Sequence, residues 1–408
     1  MTEAMVIVGA GQAGGRAALT LRAQGYDGPV VLLGIEPDAP YERPPLSKGF
    51  LTGRQAPADF TFAKADALHE VGIDFRPGVR VEAVDRERRQ VRLASGELLS
   101  YDRLLLATGR RVRRLPAPAA VSDQVLYLRD LADAHALKAA LAQAPRLAIV
   151  GGGFIGLEVA ASAVALGCRP TVVEMAPQLM GRAVPAPLAA IVQERHESAG
   201  VTIRLGTGLE GIEPAADGVA LRLTDGSVLA ADFVLVGVGA VPRTELAEAA
   251  GLNVSGGIVV DAGLRTSDPR IFAAGDVCAC PGARCTGLLR LESWQNAEAQ
   301  GALAARNMLG GTETYEELPW FWSDQYELTL QIAGHPELGE RTIERQMGGD
   351  GVILFHLSPD GSLAGVSGVG PAAHAREFKL ARMLLDRRIA CDPAMLADTN
   401  VRLKTLLR

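Results

Sequence analysis

Two places in the sequence combine glycines in a spacing that suits phosphate binding. Each has the pattern G-x-G-x-x-G directly after a short apolar run: Gly9, Gly11 and Gly14 in the first, and Gly151, Gly153 and Gly156 in the second. In such a turn the first glycine permits a tight bend, and the second lets the backbone approach a phosphate. The third lets the following helix pack closely on the strand, so that the positive N-terminus of the helix faces the phosphate. Because one such turn binds one dinucleotide, the two turns predict that this chain binds two.

An acid follows each glycine turn at the distance expected for a ribose contact. Glu36 lies just past a predicted strand at 30–33, and Glu174 lies at the end of a predicted strand at 171–173. A carboxylate at this place accepts a hydrogen bond from a ribose hydroxyl. Glu174 would also repel the 2′-phosphate of NADP, so the sequence predicts a preference for NAD, which the nearby cation Arg182 could weaken.

The elements that must position these residues occur twice along the chain. Each unit consists of a strand, the glycine turn, a helix and a second strand. In the first unit the strands are predicted at 5–8 and 30–33, and the helix runs from the turn to about residue 24. In the second unit the strands are predicted at 147–150 and 171–173, and the helix at 157–166. A β-meander (79–84, 89–93 and 98–100) and a closing strand (101–109) follow the first unit, and 231–242 is the matching closing strand of the second. A further strand at 271–274 ends at Gly275 and Asp276, where an aspartate can bind a ribityl or ribose hydroxyl.

The predicted fold class is therefore α/β, with two Rossmann-like dinucleotide-binding domains, one inserted in the other, and a C-terminal α+β domain. Strands are predicted in the third domain at 328–332, 352–356 and 363–369, and helices at 372–387, 393–396 and 403–407. The predicted boundaries are 1–112 with 246–318 for the first domain, 113–245 for the second, and 319–408 for the third.

Composition narrows the class of protein. The 408 residues are 48% hydrophobic and 22% charged, and the net charge of −6 argues against nucleic acid as a partner. We expect no signal peptide, because a strand begins at 5, and no membrane span, because long apolar stretches contain glycine or charge. Five cysteines, an odd number, indicate a reduced cytoplasmic protein. Cys278, Cys280 and Cys285 cluster without a fourth ligand nearby, so no metal site is predicted.

Taken together, these features resemble the two-dinucleotide-binding-domain flavoproteins of the glutathione-reductase-like superfamily. The resemblance implies that the first glycine turn, the Ala107-Thr108-Gly109 turn and the pair Gly275-Asp276 bind FAD, and that the second turn binds NADH. Disulfide reductases of that superfamily carry two redox cysteines shortly after the first acid. The corresponding segment here, YERPPLSKGFL at 41–51, has no cysteine, so electrons must leave the flavin by another route.

Four longer stretches resemble the ferredoxin reductases of bacterial ring-hydroxylating dioxygenase and cytochrome P450 systems: YERPPLSK, YLRDLADA (127–134), LESWQNAEAQG (291–301) and PWFWSDQYELTLQIAG (319–334). That resemblance implies a ferredoxin–NAD(+) reductase with FAD, which passes electrons from NADH to a small two-iron, two-sulfur ferredoxin that feeds an oxygenase. NADH delivers two electrons as a hydride and an iron–sulfur cluster accepts one at a time, so a flavin between them converts pairs into single electrons. No general acid or base is required for the hydride step itself.

By the same resemblance, Lys48 lies near flavin N5, Glu158 near the nicotinamide amide and Trp294 near the pyrimidine end of the flavin, and these three are the candidate catalytic residues. The cofactor-binding candidates are Gly9, Gly11, Ala13, Gly14, Ile35, Glu36, Arg43, Pro44, Lys48, Val81, Ala107, Thr108, Gly109, Arg129, Gly151, Gly153, Phe154, Ile155, Gly156, Glu158, Glu174, Arg182, Val238, Gly239, Gly275, Asp276, Glu292, Ser293 and Trp294. Ile35 departs from the family pattern, because many relatives have an aspartate there, and Glu36 would then have to hold the adenosine ribose.

Several alternatives stay open at this point. A flavin without redox cysteines also suits an NADH oxidase, a quinone reductase or a diaphorase, and the scaffold is shared with apoptosis-inducing-factor-like proteins that dimerise in response to NADH. Two basic clusters are candidates for steering an acidic ferredoxin, or are ordinary solvated faces: Arg110, Arg111, Arg113 and Arg114, and Arg376, Lys379, Arg382, Arg387 and Arg388. The tryptophans Trp320 and Trp322 suit core packing and an electron conduit equally well. The sequence leaves the oligomeric state open.

Overall fold

A computed structural model describes residues 4–143, 146–181, 183–349 and 351–407. The chain divides into two compact units, each built from three separate segments. The first unit comprises Met1–Arg43, Ala56–Arg111 and Ala240–Leu318. The second comprises Pro44–Gln55, Val112–Gly239 and Pro319–Arg408.

Strands account for about half of the regular structure. In chain order they are β1 Ala4–Val8, β2 Val30–Leu33, β3 Ile73–Arg76, β4 Val81–Asp85, β5 Gln90–Leu93, β6 Leu98–Leu106, β7 Arg110–Val112, β8 Val125–Leu126, β9 Arg146–Val150, β10 Arg169–Val173, β11 Thr202–Arg204, β12 Leu209–Ala215, β13 Gly218–Leu223, β14 Val228–Ala231, β15 Phe233–Val236, β16 Ala240–Pro242, β17 Ile258–Val259, β18 Ile271–Ala273, β19 Cys278–Pro281, β20 Leu288–Leu289, β21 Trp320–Gln325, β22 Leu328–Gly334, β23 Arg341–Gln346, β24 Val352–Leu357 and β25 Leu363–Pro371.

The helices alternate with the strands in the first two thirds of the chain and cluster at its end. The α-helices are α1 Gln12–Ala23, α2 Pro57–Phe60, α3 Ala65–Glu70, α4 Leu131–Leu141, α5 Phe154–Ala165, α6 Ala186–Ser198, α7 Glu245–Ala249, α8 Trp294–Met308, α9 Ala375–Asp386 and α10 Pro393–Ala397. Short 3₁₀ helices lie at Pro44–Ser47, Ala119–Gln124, Pro336–Leu338, Ala372–His374 and Leu403–Leu407. In the described part of the chain, we find no helix that combines the length and the apolar character needed to cross a membrane.

The first unit is organised around a parallel sheet in the order β3–β2–β1–β6, with β18 added beside β6. Strands β1, β2 and β6 carry apolar runs such as VVLL because both faces of the sheet are covered, and Val6, Ile7 and Leu104 are fully buried. In a parallel sheet the carboxyl ends of all strands meet at one edge. The turns that follow β1, β6 and β18 therefore lie together, which brings the first glycine turn, the Ala107 turn and Gly275 to one edge.

The second unit contains a parallel sheet in the order β11–β10–β9–β15–β8, and its glycine turn follows β9. An antiparallel meander, β12–β13–β14, packs its buried side chains into the same core. The C-terminal part of the second unit is an antiparallel sheet in the order β21–β22–β25–β24–β23, against which α9 packs. The predicted α/β fold with two Rossmann-like sheets and a C-terminal α+β part is confirmed by this architecture.

Three details differ from the sequence-based expectation. The strand predicted to begin at 101 is the continuation of the meander strand, because no glycine or proline interrupts LLSYDRLLL, and β6 runs through. The helix of the second unit begins at Phe154, three residues earlier than predicted, directly after Gly153. The C-terminal sheet has two outer strands that the pattern did not reveal: β21, whose sequence WFWSDQ lacks a clean alternation, and the charged edge strand β23. The sequence also predicts a turn at 348–351 between two of these strands, and residue 350 of that turn lies outside the described residues.

Candidate functional site

In the first unit the three glycines of the first turn have different physical roles. Gly9 has a φ of 112°, and a Cβ there would lie 2.1 Å from the carbonyl oxygen of Ala107. A Cβ at Gly14 would lie 1.8 Å from the carbonyl oxygen of Gly9, so the helix α1 can approach the strand only without a side chain. A Cβ at Gly11 would meet nothing within 4 Å, and Gly11 is the N-cap of α1 with no side chain bonded to the first-turn N–H groups. That open space in front of free N–H groups is where a phosphate can approach.

Glu36 lies at the predicted place past β2, and its carboxylate has two partners from the segment that follows. Arg43 binds one oxygen at 2.5 Å, and the Tyr41 hydroxyl donates to the other at 2.5 Å. Ile35, the predicted departure from the family pattern, is 42% exposed. Arg43 and Tyr41 therefore fix the orientation of the Glu36 carboxylate at the end of β2.

Arg243 is a basic residue at this edge that sequence reasoning missed. Its carbonyl oxygen accepts a hydrogen bond from the Thr108 hydroxyl at 2.8 Å, and its N–H donates to the Gly109 carbonyl at 2.9 Å. Burial and the neighbouring cations Arg111 and Arg80 lower the pKa of its guanidinium. A group of cations that repel one another is poised to gain from an anion between them. The signal available in the sequence was a basic residue directly after the predicted closing strand.

Asp276 and Glu292, both predicted cofactor contacts, are tied together by two arginines. Arg110 pairs with Asp276 at 3.0 Å and also with Glu292, and Arg290 pairs with Glu292 at 2.6 Å. Arg110, a member of the first of the two candidate basic clusters, is therefore paired with acids, which lowers its value for attracting an acidic partner. Arg111 is likewise paired, with Glu245.

Ala13 and Gly275 lie side by side at the start of α1. A Cβ at Gly275 would come within 3.0 Å of the Ala13 Cβ, and Gly301 of α8 faces the Ala13 carbonyl, where a Cβ would lie 2.3 Å from the oxygen. The Gly275 N–H donates to the Gln300 side chain at 2.8 Å. These close approaches explain why small residues occupy the positions, and they join Ala13 and Gly275 in one wall of the candidate site.

Trp294 is the first residue of α8, directly after the N-cap Ser293, whose hydroxyl accepts from the Asn296 N–H at 3.2 Å. Its side chain lies close enough to Glu42, a second residue that sequence reasoning missed, to affect the pKa of that carboxyl. Burial and the nearby Glu298 raise the pKa of Glu42, whereas Trp294 opposes that shift. Val81, another predicted contact, is a buried residue at the start of β4.

The second unit repeats the geometry of the first turn. Gly151 has a φ of 108°, and a Cβ there would lie 2.6 Å from the Gly237 carbonyl oxygen. A Cβ at Gly156 would lie 2.3 Å from the Gly151 carbonyl oxygen, whereas one at Gly153 would meet nothing within 4 Å. The second unit therefore has the same strand, turn and helix packing, with the same open space before the N-terminus of α5.

Glu174 is anchored beside this turn. Its carboxylate accepts from the Gly152 N–H at 2.7 Å and from the Ala176 N–H at 2.8 Å. The carboxylate is thus held at the end of β10, where the sequence predicted it. Arg182, predicted as a moderating cation, lies outside the described residues.

Other predicted contacts of the second unit lie around the same turn. Ile155 is 41% exposed beside the open space, and the ring of Phe154 packs on Phe321 with 4.3 Å between centroids. Val238 and Gly239 follow β15 at the same edge, and Gly239 has a φ of 98°. Arg129 lies earlier in the sequence, before α4, and its backbone N–H donates to Asp133 at 2.9 Å.

Lys48 and Glu158, which are 110 residues apart in sequence, form a buried ion pair in the second unit. The Lys48 Nζ lies 2.7 Å from Glu158 Oε2 and donates to the Pro44 carbonyl at 3.2 Å. Two serines that sequence reasoning missed complete the partners of Glu158, which is 3% exposed: Ser47 donates at 2.5 Å and Ser323 donates at 2.6 Å. Neither serine has a spacing in the sequence that would connect it with Glu158.

The remaining predicted residues divide between packing and surface. Trp320 stacks on Trp322 with 5.1 Å between centroids, and Arg382 lies 4.9 Å above the Trp320 ring. Arg114 lies over Tyr127. Exposed cations remain on and just after α9, at Arg376, Lys379, Arg387 and Arg388. Within the described ranges, none of the five cysteines forms a disulfide, and no cluster of histidines, cysteines and acids has a metal-binding arrangement.

Comparison with known proteins agrees with this geometry. A family model described as pyridine nucleotide-disulphide oxidoreductase matches residues 3–301, and one described as reductase C-terminal matches residues 320–407. The ferredoxin–NAD(+) reductase component of the anthranilate 1,2-dioxygenase system of Burkholderia cepacia is 43% identical over 99% of both chains. Putidaredoxin reductase of Pseudomonas putida is 38% identical over 99% of this chain and 96% of its own.

Solved structures show the same likeness. The covalent putidaredoxin reductase–putidaredoxin complex includes a chain that superposes with a TM-score of 0.94 at 37% identity, over 99% of this chain and 98% of that one. The ferredoxin reductase for the CYP199A2 system from Rhodopseudomonas palustris superposes with a TM-score of 0.93 at 36% identity, over 100% of both chains. On these similarities and on the two matched glycine turns, the chain belongs to the pyridine nucleotide-disulphide oxidoreductase family and, within it, to the ferredoxin–NAD(+) reductases.

Proposed function

We propose that this protein is an NADH-dependent reductase that uses FAD to pass electrons one at a time to a small iron–sulfur ferredoxin, which in turn feeds an oxygenase. The observation that carries the proposal is the pairing of two matched dinucleotide turns with a segment, 41–51, that has no cysteine. Two dinucleotide sites indicate transfer between two cofactors, and the lack of a thiol in that segment indicates an acceptor outside the chain.

The residues of the first unit fit FAD. Gly11 leaves open space for a pyrophosphate, Glu36 offers its carboxylate to a ribose, and Asp276 is held by Arg110 at the end of β18, where a ribityl hydroxyl would reach it. When bound, FAD accepts a hydride from a nicotinamide and releases the two electrons separately.

The residues of the second unit fit NADH. Gly153 leaves the open space at the N-terminus of α5, and the anchored Glu174 carboxylate would bind the adenosine 2′-hydroxyl of NAD and repel the 2′-phosphate of NADP. Lys48 holds a positive charge and Glu158 a negative one within 2.7 Å, inside a largely buried environment. Such fixed charges are worth more than charges in water, because they do not have to reorganise during the reaction.

A ferredoxin is the partner that the relatives support. One of the similar structures is a complex of a reductase with putidaredoxin, and several similar proteins are reductase components of dioxygenase systems. Ferredoxins are commonly acidic, and the exposed cations of α9 and the residues after it offer the charge that would attract one. The alternative cluster around Arg110 loses support, because its first two members are paired with acids.

A cytoplasmic location is part of the proposal, since cysteines without disulfides suit a reducing compartment.

The test is turnover with NADH after reconstitution with FAD. We expect the purified protein to be yellow, to be bleached by NADH, and to reduce cytochrome c rapidly only when an iron–sulfur ferredoxin is added. A rate of cytochrome c reduction that ferredoxin leaves unchanged, with rapid oxygen or quinone reduction, would identify an oxidase or diaphorase instead. A change in mass on adding NADH with negligible turnover would favour a role like that of apoptosis-inducing factor.

A further inference from the structure

A continuous line of hydrogen bonds leads away from Glu158 through the second unit. Ser323 lies on β21, with its hydroxyl 2.6 Å from Glu158 Oε1 and 3.2 Å from the side-chain nitrogen of Gln325. The side-chain oxygen of Gln325 lies 2.6 Å from His196 Nε2 on α6. The other ring nitrogen, Nδ1, lies 3.2 Å from the Tyr326 hydroxyl. Ser323, Gln325 and His196 are each 1% exposed or less, so these bonds are made inside the protein.

The charge at one end determines the direction of every bond in this line. Glu158 faces the ammonium group of Lys48, and an ionised carboxylate only accepts hydrogen bonds. The Ser323 hydroxyl must therefore donate to Glu158, and its oxygen must accept from the Gln325 NH₂ group. That orientation leaves the Gln325 oxygen facing His196, so Nε2 carries the ring proton and donates. Nδ1 is then left to accept from the Tyr326 hydroxyl.

His196 and Tyr326, at the other end of the line from Glu158, have protonation states that suit this direction of the hydrogen bonds. Burial lowers the pKa of His196, which favours the neutral ring with one proton, and burial raises the pKa of Tyr326 to about 12, so its hydroxyl keeps the proton that it donates. Tyr326 has a φ of 58°, in the left-handed region that non-glycine residues rarely adopt. Arg195 lies 4.1 Å above its ring and forms an ion pair with Glu327 at 2.6 Å. Such a backbone conformation persists where the surroundings hold it in place.

We infer that Ser323, Gln325 and His196 are positioning residues for Glu158, joined in a hydrogen-bond chain that has a single direction. They keep one carboxylate oxygen occupied by Ser323 and leave the other for Lys48 and Ser47, which fixes the orientation of the ion pair. The effect of these residues on the reaction rests on the proposed function, in which Lys48 and Glu158 are the charged groups offered to the cofactors. Neighbouring hydrogen bonds of one direction also strengthen one another.

The hydrogen-bond chain predicts that a substitution at Glu158 changes the tautomer of His196. In the variant Glu158→Gln the amide oxygen would turn toward Lys48 and Ser47, and the NH₂ group would donate to Ser323. The Ser323 hydroxyl would then donate to the Gln325 oxygen, which requires the Gln325 amide to flip. The flipped NH₂ group donates to Nε2 of His196, so the ring proton must move to Nδ1. A substitution three hydrogen bonds away should therefore change the tautomer of this histidine.

The test is ¹⁵N NMR of the FAD-bound protein labelled at its six histidines, with His196 assigned by the loss of its signals in His196→Gln. We expect the proton on Nε2 in the unchanged protein and on Nδ1 in Glu158→Gln. His356, a buried histidine of the same unit that bonds Ser367 and Thr342, is the internal control and should keep its tautomer. In Ser323→Ala the chain is cut, so adding Glu158→Gln to that variant should leave the His196 signals unchanged.

A proton on Nδ1 in the unchanged protein, a doubly protonated ring, or the same tautomer in Glu158→Gln would overturn the inference. The first two outcomes need no variant at Glu158, so the test stands even if that variant does not fold. These signals are independent of ferredoxin reduction, so they separate failure of the chain from failure of the proposed function.

A second measurement connects the chain to the reaction. We expect Gln325→Met to slow flavin reduction by NADH at least threefold in stopped-flow experiments, and to have no further effect when Glu158 is already glutamine. Equal effects in both backgrounds would mean that Gln325 does not act through Glu158. His196→Gln, which keeps a donor toward Gln325, should retain more activity than His196→Leu.

Discussion

At the scale of single residues, the carboxylate of Glu174 has little freedom. Two backbone N–H groups, those of Gly152 and Ala176, hold its oxygens at the end of β10. A fixed negative charge at this place discriminates against a cofactor with a phosphate on the same ribose. If the second unit binds NADH as we propose, this one side chain should favour NADH over NADPH.

We expect Glu174→Ala to raise the ratio of kcat/KM for NADPH to that for NADH by about tenfold, which corresponds to about 1.4 kcal/mol. The physical reason is the loss of both the repulsion of the 2′-phosphate and the bond to the 2′-hydroxyl. Steady-state kinetics with both cofactors measure the ratio. The neighbouring variant Met175→Ala, at a side chain that is 76% exposed, is the control and should leave it unchanged. An unaltered ratio in Glu174→Ala would show that discrimination lies elsewhere.

We expect Lys48→Met to lower the flavin reduction potential and to slow reduction by NADH on the order of tenfold or more. The substitution removes the cation that pairs with Glu158 at 2.7 Å and leaves a buried carboxylate with serine partners alone. Stopped-flow absorbance and a dye-equilibration titration check the two quantities. Lys64→Met, at an exposed lysine, is the matched control. Rates equal to those of the unchanged protein would contradict the assignment of Lys48.

The residues that could be predicted from the sequence are those whose role depends on local backbone geometry. The glycines of both turns were predictable because each role follows from a fixed spacing, and Glu174 because it ends a strand. Ser47 and Ser323 could not be predicted, since their importance arises only where distant segments meet at Glu158. The pairing of Arg110 with Asp276 is similarly invisible, because nothing in a run of arginines indicates which of them has an acid beside it.

At the scale of elements, each strand, turn and helix unit needs its glycines for two separate reasons. Gly156 is required by packing, because a Cβ would lie 2.3 Å from a carbonyl oxygen of the turn. Gly153 is surrounded by open space, so a side chain there would obstruct a ligand rather than the fold. The same division holds for Gly14 and Gly11 in the first unit.

Substitutions at Gly156 and Gly153 should therefore fail in different ways. We expect Gly156→Ala to destabilise the protein by roughly 1–3 kcal/mol, as other overpacked sites do, and to lower the melting temperature. Gly153→Ala should keep the melting temperature within a degree or two and weaken NADH binding several-fold. Differential scanning fluorimetry and NADH titration distinguish the two. Equal losses of stability would show that the open space at Gly153 is needed by the fold.

The C-terminal sheet contains a histidine that should make stability depend on pH. Burial lowers the pKa of His356 from 6.5 to about 4, so the folded state favours the neutral ring. Unfolding takes up a proton in this window, and the stabilisation, about 3 kcal/mol at most, is fully present above pH 6.5 and is lost as the pH falls toward 4.

We expect His356→Gln to flatten the fall in melting temperature between pH 6.5 and 4.5, with little effect on its pH dependence above 7. Melting curves across this range make the measurement. His69→Gln, at an exposed histidine, should leave the slope as it is. A slope that His356→Gln does not change would assign the acid sensitivity to other groups.

Elements were predictable where hydrophobic pattern and turn residues agreed. The strands β1, β2 and β9 are continuous apolar runs that end at glycine, and they lie within one residue of their predicted bounds. Strands β21 and β23 were missed because each owes its place to a neighbouring strand: Trp320 is paired with Ala333, and Arg341 with Leu357. A strand that depends on its partner leaves little trace in its own sequence.

At the scale of the whole molecule, the net charge of −6 conceals an uneven distribution of charge. Arg376, Lys379, Arg387 and Arg388 are exposed on α9 and just after it, whereas Arg110 and Arg111, next to Gly109, have acidic partners. An acidic partner would be attracted to the first group despite the negative total.

We expect the second-order rate of ferredoxin reduction to fall about tenfold between 50 and 500 mM salt, because added ions screen this attraction. The double variant Lys379→Glu with Arg387→Glu should lower the rate at low salt and remove most of the salt dependence. Reduction of a neutral quinone is the control acceptor, and Lys64→Glu the control variant. A ferredoxin rate that is indifferent to salt would contradict steering by α9.

The class of protein could be predicted from the sequence because the dinucleotide turns occur twice and their glycines are spaced alike. The division into segments could not be predicted as readily. Residues 44–55 belong by their contacts to the second unit, although the residues on both sides belong to the first. The unit to which a loop belongs depends on the distant surfaces on which the loop packs, and the local composition of the loop does not indicate those surfaces.

This interleaving has a consequence for synthesis on the ribosome. Lys48 leaves the exit tunnel well before Glu158, and at about 5–20 residues per second the delay is roughly 5–20 s. During that time the segment 44–55 lacks its partners on α5, and the first unit also waits for β18 and α8 from its third segment. Nascent chains that stall before residue 318 should therefore be open to proteases and to chaperones, whatever the stability of the finished protein.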